Sequence, residues 1–438
     1  MSALETVIYI AGALIFFALV MASVALHEIG HLVPAKLFGV KTTQYFVGFG
    51  RTLWSRRKGE TEYGIKAIPL GGFVRMIGMY PPSRERPNQV RATRTGIFQS
   101  LADQARAAEY EEIRPEDDGR LLYQKKPWQK LIIMAGGPIM NILLAFVILL
   151  GVTATYGVYR ETLTVQTVSE CIRPLDAPAS ACAPNDPKTP AFLAGLQPGD
   201  EIVSFNGVRI ESWDQLQATI RANLDHEARL TVLRGGQPVE LKPVNTALNG
   251  VRDEWDPSKI IQQGFLGVTP QPVRERGGPV TVLNDMWDLT QRTGYLLAQF
   301  PVKVFNVARD LVTGQPRDVY GPMSIVGASR VAGEIASTDQ VPVADKLAAL
   351  ALTLGNVNLF LALFNLIPLL PMDGGHIAGA IYEWLRRGLS RLFRRPDPGH
   401  VDTARMLPVA WAVGIVVALS GAVLIIADIF DPIKLFSG

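Results

Sequence analysis

Four long stretches of this 438-residue chain contain no charged residue: Val7 to Leu26, Leu131 to Tyr156, Leu347 to Met372 and Met406 to Ala427. A helix needs about 20 apolar residues to cross a bilayer, and each stretch reaches that length. In a lipid interior every backbone amide and carbonyl must be paired within the segment, so helices are the structure these stretches can adopt. The fold class that follows is a polytopic α-helical membrane protein with four transmembrane helices. Hydrophobic residues make up 48% of the chain, high for a soluble protein, and support that class.

The distribution of Lys and Arg orients the helices. Eighteen lie between Lys36 and Lys130 and six between Arg386 and Arg405, whereas the stretch before Val7 has none and the one after Ala427 has only Lys434. Short positively charged loops stay on the cytoplasmic side. The region from Arg160 to Lys346 also holds eighteen, but a segment that long translocates largely regardless of charge. Both termini and this region are therefore expected outside the membrane that the four helices cross. The first apolar stretch has no preceding basic residue and is too long for a signal-peptide core, so it reads as a retained helix. A net charge of +3 gives no global basic field, and no nucleic-acid partner is expected.

The first helix carries His27-Glu28-Ile29-Gly30-His31 at its end. Histidines four apart share one helix face, so both imidazoles can reach one divalent cation, with Glu28 beside them to handle a proton. Ionisable side chains near a bilayer are costly and need partners, which favours a metal over chance packing. A catalytic zinc normally takes three protein ligands, so one is missing. Candidates are His226, His376, His400, Asp373, Glu383 and Asp428. The first and third helices both run inward, which puts Asp373, following the third apolar run, at the depth of His27 and His31. His226 falls outside, Asp428 at the opposite face and His400 in the basic loop; His376 remains as runner-up. In Asn365-Leu366-Ile367-Pro368-Leu369-Leu370-Pro371-Met372-Asp373-Gly374-Gly375-His376 two prolines and two glycines break the helix, at a depth where irregular backbone must line a cavity or meet protein.

Between the first two helices, residues 42–78 alternate as strands: Tyr45-Phe46-Val47, Glu62 to Ile68 and Gly72-Phe73-Val74, punctuated by glycines. They are expected to form a hairpin dipping toward the site. Residues 81–126 read as a mobile cytoplasmic insert with a short helix near Gln99 to Glu112. From Glu161 to Val244 the pattern is compact α/β, and Ala194-Gly195-Leu196, Gly199-Asp200, Ile202 and Asn206-Gly207 fall in the spacing of a bacterial-type PDZ domain, which it resembles. Such domains bind an extended peptide on a sheet edge. Cys171 and Cys182 can form one short-loop disulfide or remain free thiols. Met286 to Gly314 is amphipathic and too charged to span, so it is expected on the outer membrane surface or capping the bundle, kinked or broken at Pro301. The resulting boundaries are 1–35 (first transmembrane helix), 36–80 (membrane-associated β region), 81–130 (cytoplasmic insert), 131–158 (second helix), 160–245 (extracytoplasmic PDZ domain), 246–345 (extracytoplasmic region with the amphipathic helix), 346–380 (third helix with MDGG), 381–405 (cytoplasmic basic loop) and 406–428 (fourth helix).

HEIGH on the first helix, NLIPLLPMDGG after the third and a PDZ-like domain between the second and third resemble the site-2 protease family of intramembrane zinc metalloproteases, in its RseP-like bacterial group. Phe46 to Gly50, Pro69 to Phe73 and Gly321 to Ile325 match further runs of that group. The resemblance implies zinc held by His27, His31 and Asp373, Glu28 as catalytic base, and Asn365 assisting substrate or transition state. It also implies a single-pass membrane-protein substrate, such as an anti-sigma factor already shortened outside. Two features depart from the group: RseP has two PDZ domains where one is found here, and the second proline stands one place nearer the aspartate. A metal transporter would want polar residues along several helices, but only Asn141, Asn356, Asn358 and Asn365 interrupt the spans. A catalytically inactive PDZ scaffold would not need Glu28.

Overall fold

The computed structural model describes residues 2–79, 81, 113–172, 182–183, 185–253 and 259–433. The expected helix near Gln99 to Glu112 lies outside them. Helix α1 spans Ala3–Leu37 and opens on a capping box: Ser2 Oγ accepts from the Glu5 amide at 3.2 Å, and the Glu5 carboxylate accepts from the Ser2 amide at 2.7 Å. It runs well past Leu26, so HEIGH sits inside the helix, two turns before its end, rather than at its last residues. Two long antiparallel strands follow, β1 (Thr42–Lys58) and β2 (Thr61–Met76), where shorter strands are expected from the sequence. The pair folds on itself: Val47 is partnered by both Gly72 and Ile65, and Phe46 by both Phe73 and Gly64. Residues 44–47 thus lie between 62–65 and 72–75, and the irregular register around Gly48 and Gly50 lets the ribbon curl. Helix α2 (Pro127–Thr155) is the second apolar helix.

Residues Val152–Gly278 form a compact unit, wider than the 160–245 expected for the PDZ-like domain. Its strands are β3 (Val158–Val168), β4 (Glu201–Phe205), β5 (Val208–Arg209), β6 (Glu227–Ala228), β7 (Leu230–Arg234), β8 (Gln237–Glu240), β9 (Val244–Asn245), β10 (Ala247–Arg252), β11 (Ile260–Phe265) and β12 (Val268–Glu275), with helices α3 (Pro190–Ala194) and α4 (Trp213–Asn223). The main sheet has the order β12-β3-β4-β7-β8, so the strand completing it, β12, comes from beyond residue 245. Alternating residues Ile202, Leu230 and Val232 turn inward against Leu216 and Ile220 of α4. Cys171 and Cys182 are disulfide-bonded, which settles the alternative left open by the sequence.

The remaining chain returns to the apolar bundle. Helix α5 covers Pro279–Thr313 without interruption; it starts earlier than expected and continues through Pro301 instead of breaking there. Val282 and Met286 of α5 pack with Ala145 and Leu149 of α2, and Val304 and Val307 pack with Leu424 and Ala427 further on. Neighbours on both sides hold the helix across the proline. Then come α6 (Ile325–Ser337), α7 (Val343–Asn365), α8 (Asp373–Leu392) and α9 (Leu407–Phe430). The expected 346–380 helix is two elements: α7 stops at Asn365, because residues preceding Pro368 and Pro371 are driven out of the α region, and α8 starts at Asp373. Part of the expected 381–405 loop is therefore helical. α1, α2, α7 and α9 are long and apolar enough to cross a membrane. Three of them, α1, α2 and α9, expose Leu14, Ile15, Leu143, Val147, Ile415 and Leu419, apolar surface that suits a bilayer and not water. A polar clasp ties α9 to the bundle: Asp428, 2% exposed, meets Arg317 at 2.6 Å and accepts from the Ser324 amide and hydroxyl at 2.7 and 2.6 Å.

In the Val152–Gly278 unit, buried Asp200 accepts from Arg234 through both carboxylate oxygens at 2.8 Å and from the Gln197 amide at 2.8 Å. Burial alone would raise its carboxyl pKa, but the Arg234 and Gln197 bonds outweigh it and hold the group below the ordinary carboxylate range. Since the folded value lies below the unfolded one, about 3.9, the stabilisation is complete above that pH and is lost as pH falls through the folded value. Hydrogen exchange of β4 and β7 in the full chain should be faster in Asp200→Asn than in wild type near neutral pH, and the difference should disappear in acid.

Candidate metal centre

The centre is built where α1 and α2 touch. A Cβ on Gly30 would clash with the Gly136 carbonyl, and one on Gly136 with the Gly30 carbonyl, so the two backbones meet with no side chain between them. This contact brings α2 against the His27 and His31 face. His31 Nδ1 lies 2.8 Å from the Ile133 carbonyl of α2 and donates to it, since a carbonyl can only accept. That fixes the tautomer: in the neutral ring, His31 Nε2 is left with a lone pair pointing into the site.

The third group arrives from α8. Residues 366–372 form a non-helical turn, and Asp373 is the first residue of the next helix, where the helix dipole favours a carboxylate. Gly374 and Gly375 allow the first turn of α8 to lie against that loop: a Cβ on Gly374 would clash with the Ile367 carbonyl, and one on Gly375 would come 2.6 Å from the Leu370 amide nitrogen. As a result Asp373 Oδ2 lies 3.3 Å from His27 Nε2 and 3.3 Å from His31 Nε2, and the two Nε2 atoms are 3.3 Å apart. The histidines are 7% and 5% exposed. Asp373 Oδ2 is buried without a hydrogen-bond partner, so an acceptor carboxylate oxygen and a bare ring nitrogen face each other in an apolar setting. A cation between them resolves that repulsion. Tetrahedral zinc with ligands at about 2.0–2.1 Å spaces their atoms about 3.3–3.4 Å apart, so the donor set and spacing fit that ion.

Among the described residues His27, His31 and Asp373 form the one cluster of this kind. His376 is not in it; with Leu370, Pro371 and Trp411 it lines a 410 Å³ cavity beside α9. The other candidates are engaged elsewhere. His226 is in the Val152–Gly278 unit near the Asn223 carbonyl, Glu383 meets Lys130 at 2.9 Å, His400 meets Arg387 at 3.0 Å, and Asp428 is held by Arg317. Glu28 lies against β2, where a Cβ on Gly72 would come 2.9 Å from its Cγ. Tyr45 of β1 donates to the Ala25 carbonyl at 2.9 Å, tying the strand pair to α1 just before His27. Asn365 ends α7 and is half-buried.

The sequence profile of Peptidase family M50 matches residues 15–394, and the chain belongs to this family, the site-2 proteases. It is similar over nearly its whole length to zinc metalloprotease Rip1 of Mycolicibacterium smegmatis, with 32% identity covering 97% of this chain and 98% of the relative. Rip1 of Mycobacterium tuberculosis strain H37Rv is 30% identical over 98% and 99% of the two chains. Zinc metalloprotease RasP of Bacillus licheniformis is 26% identical over 86% and 90%. The chain is thus an intramembrane zinc metalloprotease, a multi-pass bacterial membrane protein with Zn²⁺ as its cofactor.

Gly136 and Gly137 are not among the residues singled out from the sequence, although a Gly-Gly-Pro run inside an apolar helix marks a place where something approaches closely. A Cβ on Gly137 would clash with His31 Nε2 and come 2.7 Å from His27 Nε2. Gly137→Ala should therefore lower zinc affinity about ten- to a hundredfold, as displaced ligand support does elsewhere. Metal analysis of purified protein titrated with a chelator reads this, and wild-type affinity in the variant would refute the close approach.

Proposed function

We propose that His27, His31 and Asp373 hold the zinc, that Glu28 is the general base, and that the enzyme hydrolyses peptide bonds within or beside transmembrane segments of single-pass membrane proteins. The observation carrying the reading is the triangle of ligand atoms with 3.3 Å edges, buried at one end of an apolar bundle. Zinc bound there supplies Lewis acidity, polarising the scissile carbonyl and acidifying a water molecule. Glu28 takes the proton of the attacking water and returns it to the leaving amine as the C–N bond breaks. Asn365, at the end of α7, assists by donating a hydrogen bond to substrate or to the developing oxyanion.

A substrate helix hides its carbonyls in its own hydrogen bonds and must be unwound before attack. The strand pair β1–β2 is the device for this in our reading: its segment Gly72–Met76 passes beside Glu28, and an extended substrate added there keeps its backbone paired at depth. Exposed Phe49, Leu53, Trp54, Ile65 and Ile68 support membrane association of the hairpin. The Val152–Gly278 unit acts as a single PDZ domain outside the membrane; β12, an edge strand of its main sheet, supports that role because an open edge can take an extended peptide. It senses or excludes substrates not yet shortened, with anti-sigma factors as the substrate class. The charge asymmetry of the loops supports a site toward the cytoplasmic side.

Cleavage of a synthetic transmembrane substrate by wild type and Glu28→Gln, with zinc measured in both, tests the assignment. The variant is expected to retain zinc and lose about 10²- to 10⁴-fold in rate, the usual contribution of a general base. Cleavage at the wild-type rate would remove Glu28 from the mechanism. Asp373→Ala is expected to lose zinc; full retention would transfer the ligand role to His376.

A further inference from the structure

Helix α8 is amphipathic in the inverse sense. Glu383 in its middle is 2% exposed, while the next two residues, Trp384 and Leu385, are 62% and 56% exposed. The polar face is turned inward: Glu383 accepts from Lys130 Nζ at 2.9 Å and from the Val401 amide at 3.2 Å, and Arg386 donates to the carbonyls of Pro398 and Gly399 at 3.0 and 2.6 Å. The outward arc carries Ile381, Trp384, Leu385, Leu389 and Leu392, spaced by three or four residues and so on one face. In water this arrangement would place each face in the wrong medium.

We propose that α8 lies in the membrane interface, with this arc in the acyl region and its flanking arginines at anionic lipid headgroups. The helix is held between two helices long and apolar enough to span, since only the seven residues 366–372 separate it from α7 and α9 starts at Leu407. Both ends of α8 are thus held close to the bilayer, and the exposed apolar arc between them is what selects lipid as its neighbour. Tyr382 and Trp384 are residues of the bilayer interface, and Arg391, Arg394 and Arg395 are exposed at the end of the helix, placing positive charge where phosphate headgroups lie. At 20 residues with several charges, α8 is unsuited to spanning; a large apolar arc with basic flanks is the pattern of a helix lying in the interface plane. Because Asp373 is its first residue, the depth of α8 in the lipid also sets the depth of that carboxylate.

The native cysteines are disulfide-bonded, so one introduced cysteine can be labelled selectively in the full-length protein. Leu389→Cys carries a fluorophore, and the exposed position Val208→Cys in the β-rich unit serves as reference. In nanodiscs of phosphatidylcholine with phosphatidylglycerol, the label at 389 should be quenched by lipids brominated near the headgroup end of the acyl chain and spared by aqueous iodide; the reference should show the reverse. Replacing phosphatidylglycerol by phosphatidylcholine should weaken lipid quenching at 389 about twofold or more, because the exposed arginines lose their anionic partners. Iodide quenching equal to the reference would overturn the proposal. Protection from both quenchers would mean that protein covers the arc, and would overturn it as well; an unchanged signal without phosphatidylglycerol would remove the headgroup contact. These readouts need no proteolysis, so they stand apart from the assignment of the catalytic residues.

Discussion

The direct contact of two helix backbones at Gly30 and Gly136 is the constraint on which the rest of the site depends. An apolar bundle gains little from bringing helices together in lipid, where the surroundings are as apolar as the side chains, so close approach must be built from small residues and local polar bonds. Here the approach has a chemical purpose. It puts the Ile133 carbonyl within reach of His31 Nδ1 and aims the opposite nitrogen at Asp373. A larger residue at either glycine would separate α1 from α2 and release the ring orientation that aims His31 Nε2 at Asp373.

Polar bonds inside the bundle fall where helices must keep a fixed register. Asn358 of α7, fully buried, donates to Ser23 of α1 at 3.1 Å, one turn before His27. Lys130 of α2 meets Glu383 of α8 at 2.9 Å, and Asp428 of α9 meets Arg317 at 2.6 Å. Removing one partner of either ion pair leaves an uncompensated buried charge, at a cost of about 3–5 kcal/mol, so these two clasps are strong determinants of register even where their net stabilisation is small. The three groups proposed as ligands come from α1 and α8, and these clasps connect both helices to their neighbours.

Much of this was legible in the sequence, because bilayer physics leaves few options. Charge-free length located the four apolar helices and helical spacing put His27 and His31 on one face, and the structure brings Asp373 within 3.3 Å of both. The parts that were not legible depend on tertiary contacts. A proline reads as a kink or a break, and α5 continues through Pro301 without a break because α2 on one side and α9 on the other hold it in place. The curled pairing of residues 44–47 with two segments of β2 has no local signature beyond its glycines. The strand β12 completes the sheet of the Val152–Gly278 unit from outside the run of turn motifs that defined the unit in the sequence.

Helix α8 shows the limit of reading membrane contact from hydropathy. A window average over Asp373 to Leu392 combines arginines and leucines into a middling value and returns a polar loop. The arrangement around the helix axis carries the information instead. Four-residue spacing from Ile381 to Leu385 to Leu389 marks an apolar stripe, and Glu383 with Arg387 marks the opposite one, but the sequence alone cannot say which stripe faces outward. For a water-soluble protein the apolar stripe would be assigned to the core. The 2% exposure of Glu383 reverses that assignment, and the reversal is explained by the buried cation of Lys130 at the start of α2, which with Arg387 draws the carboxylate inward and leaves the leucines on the outer face.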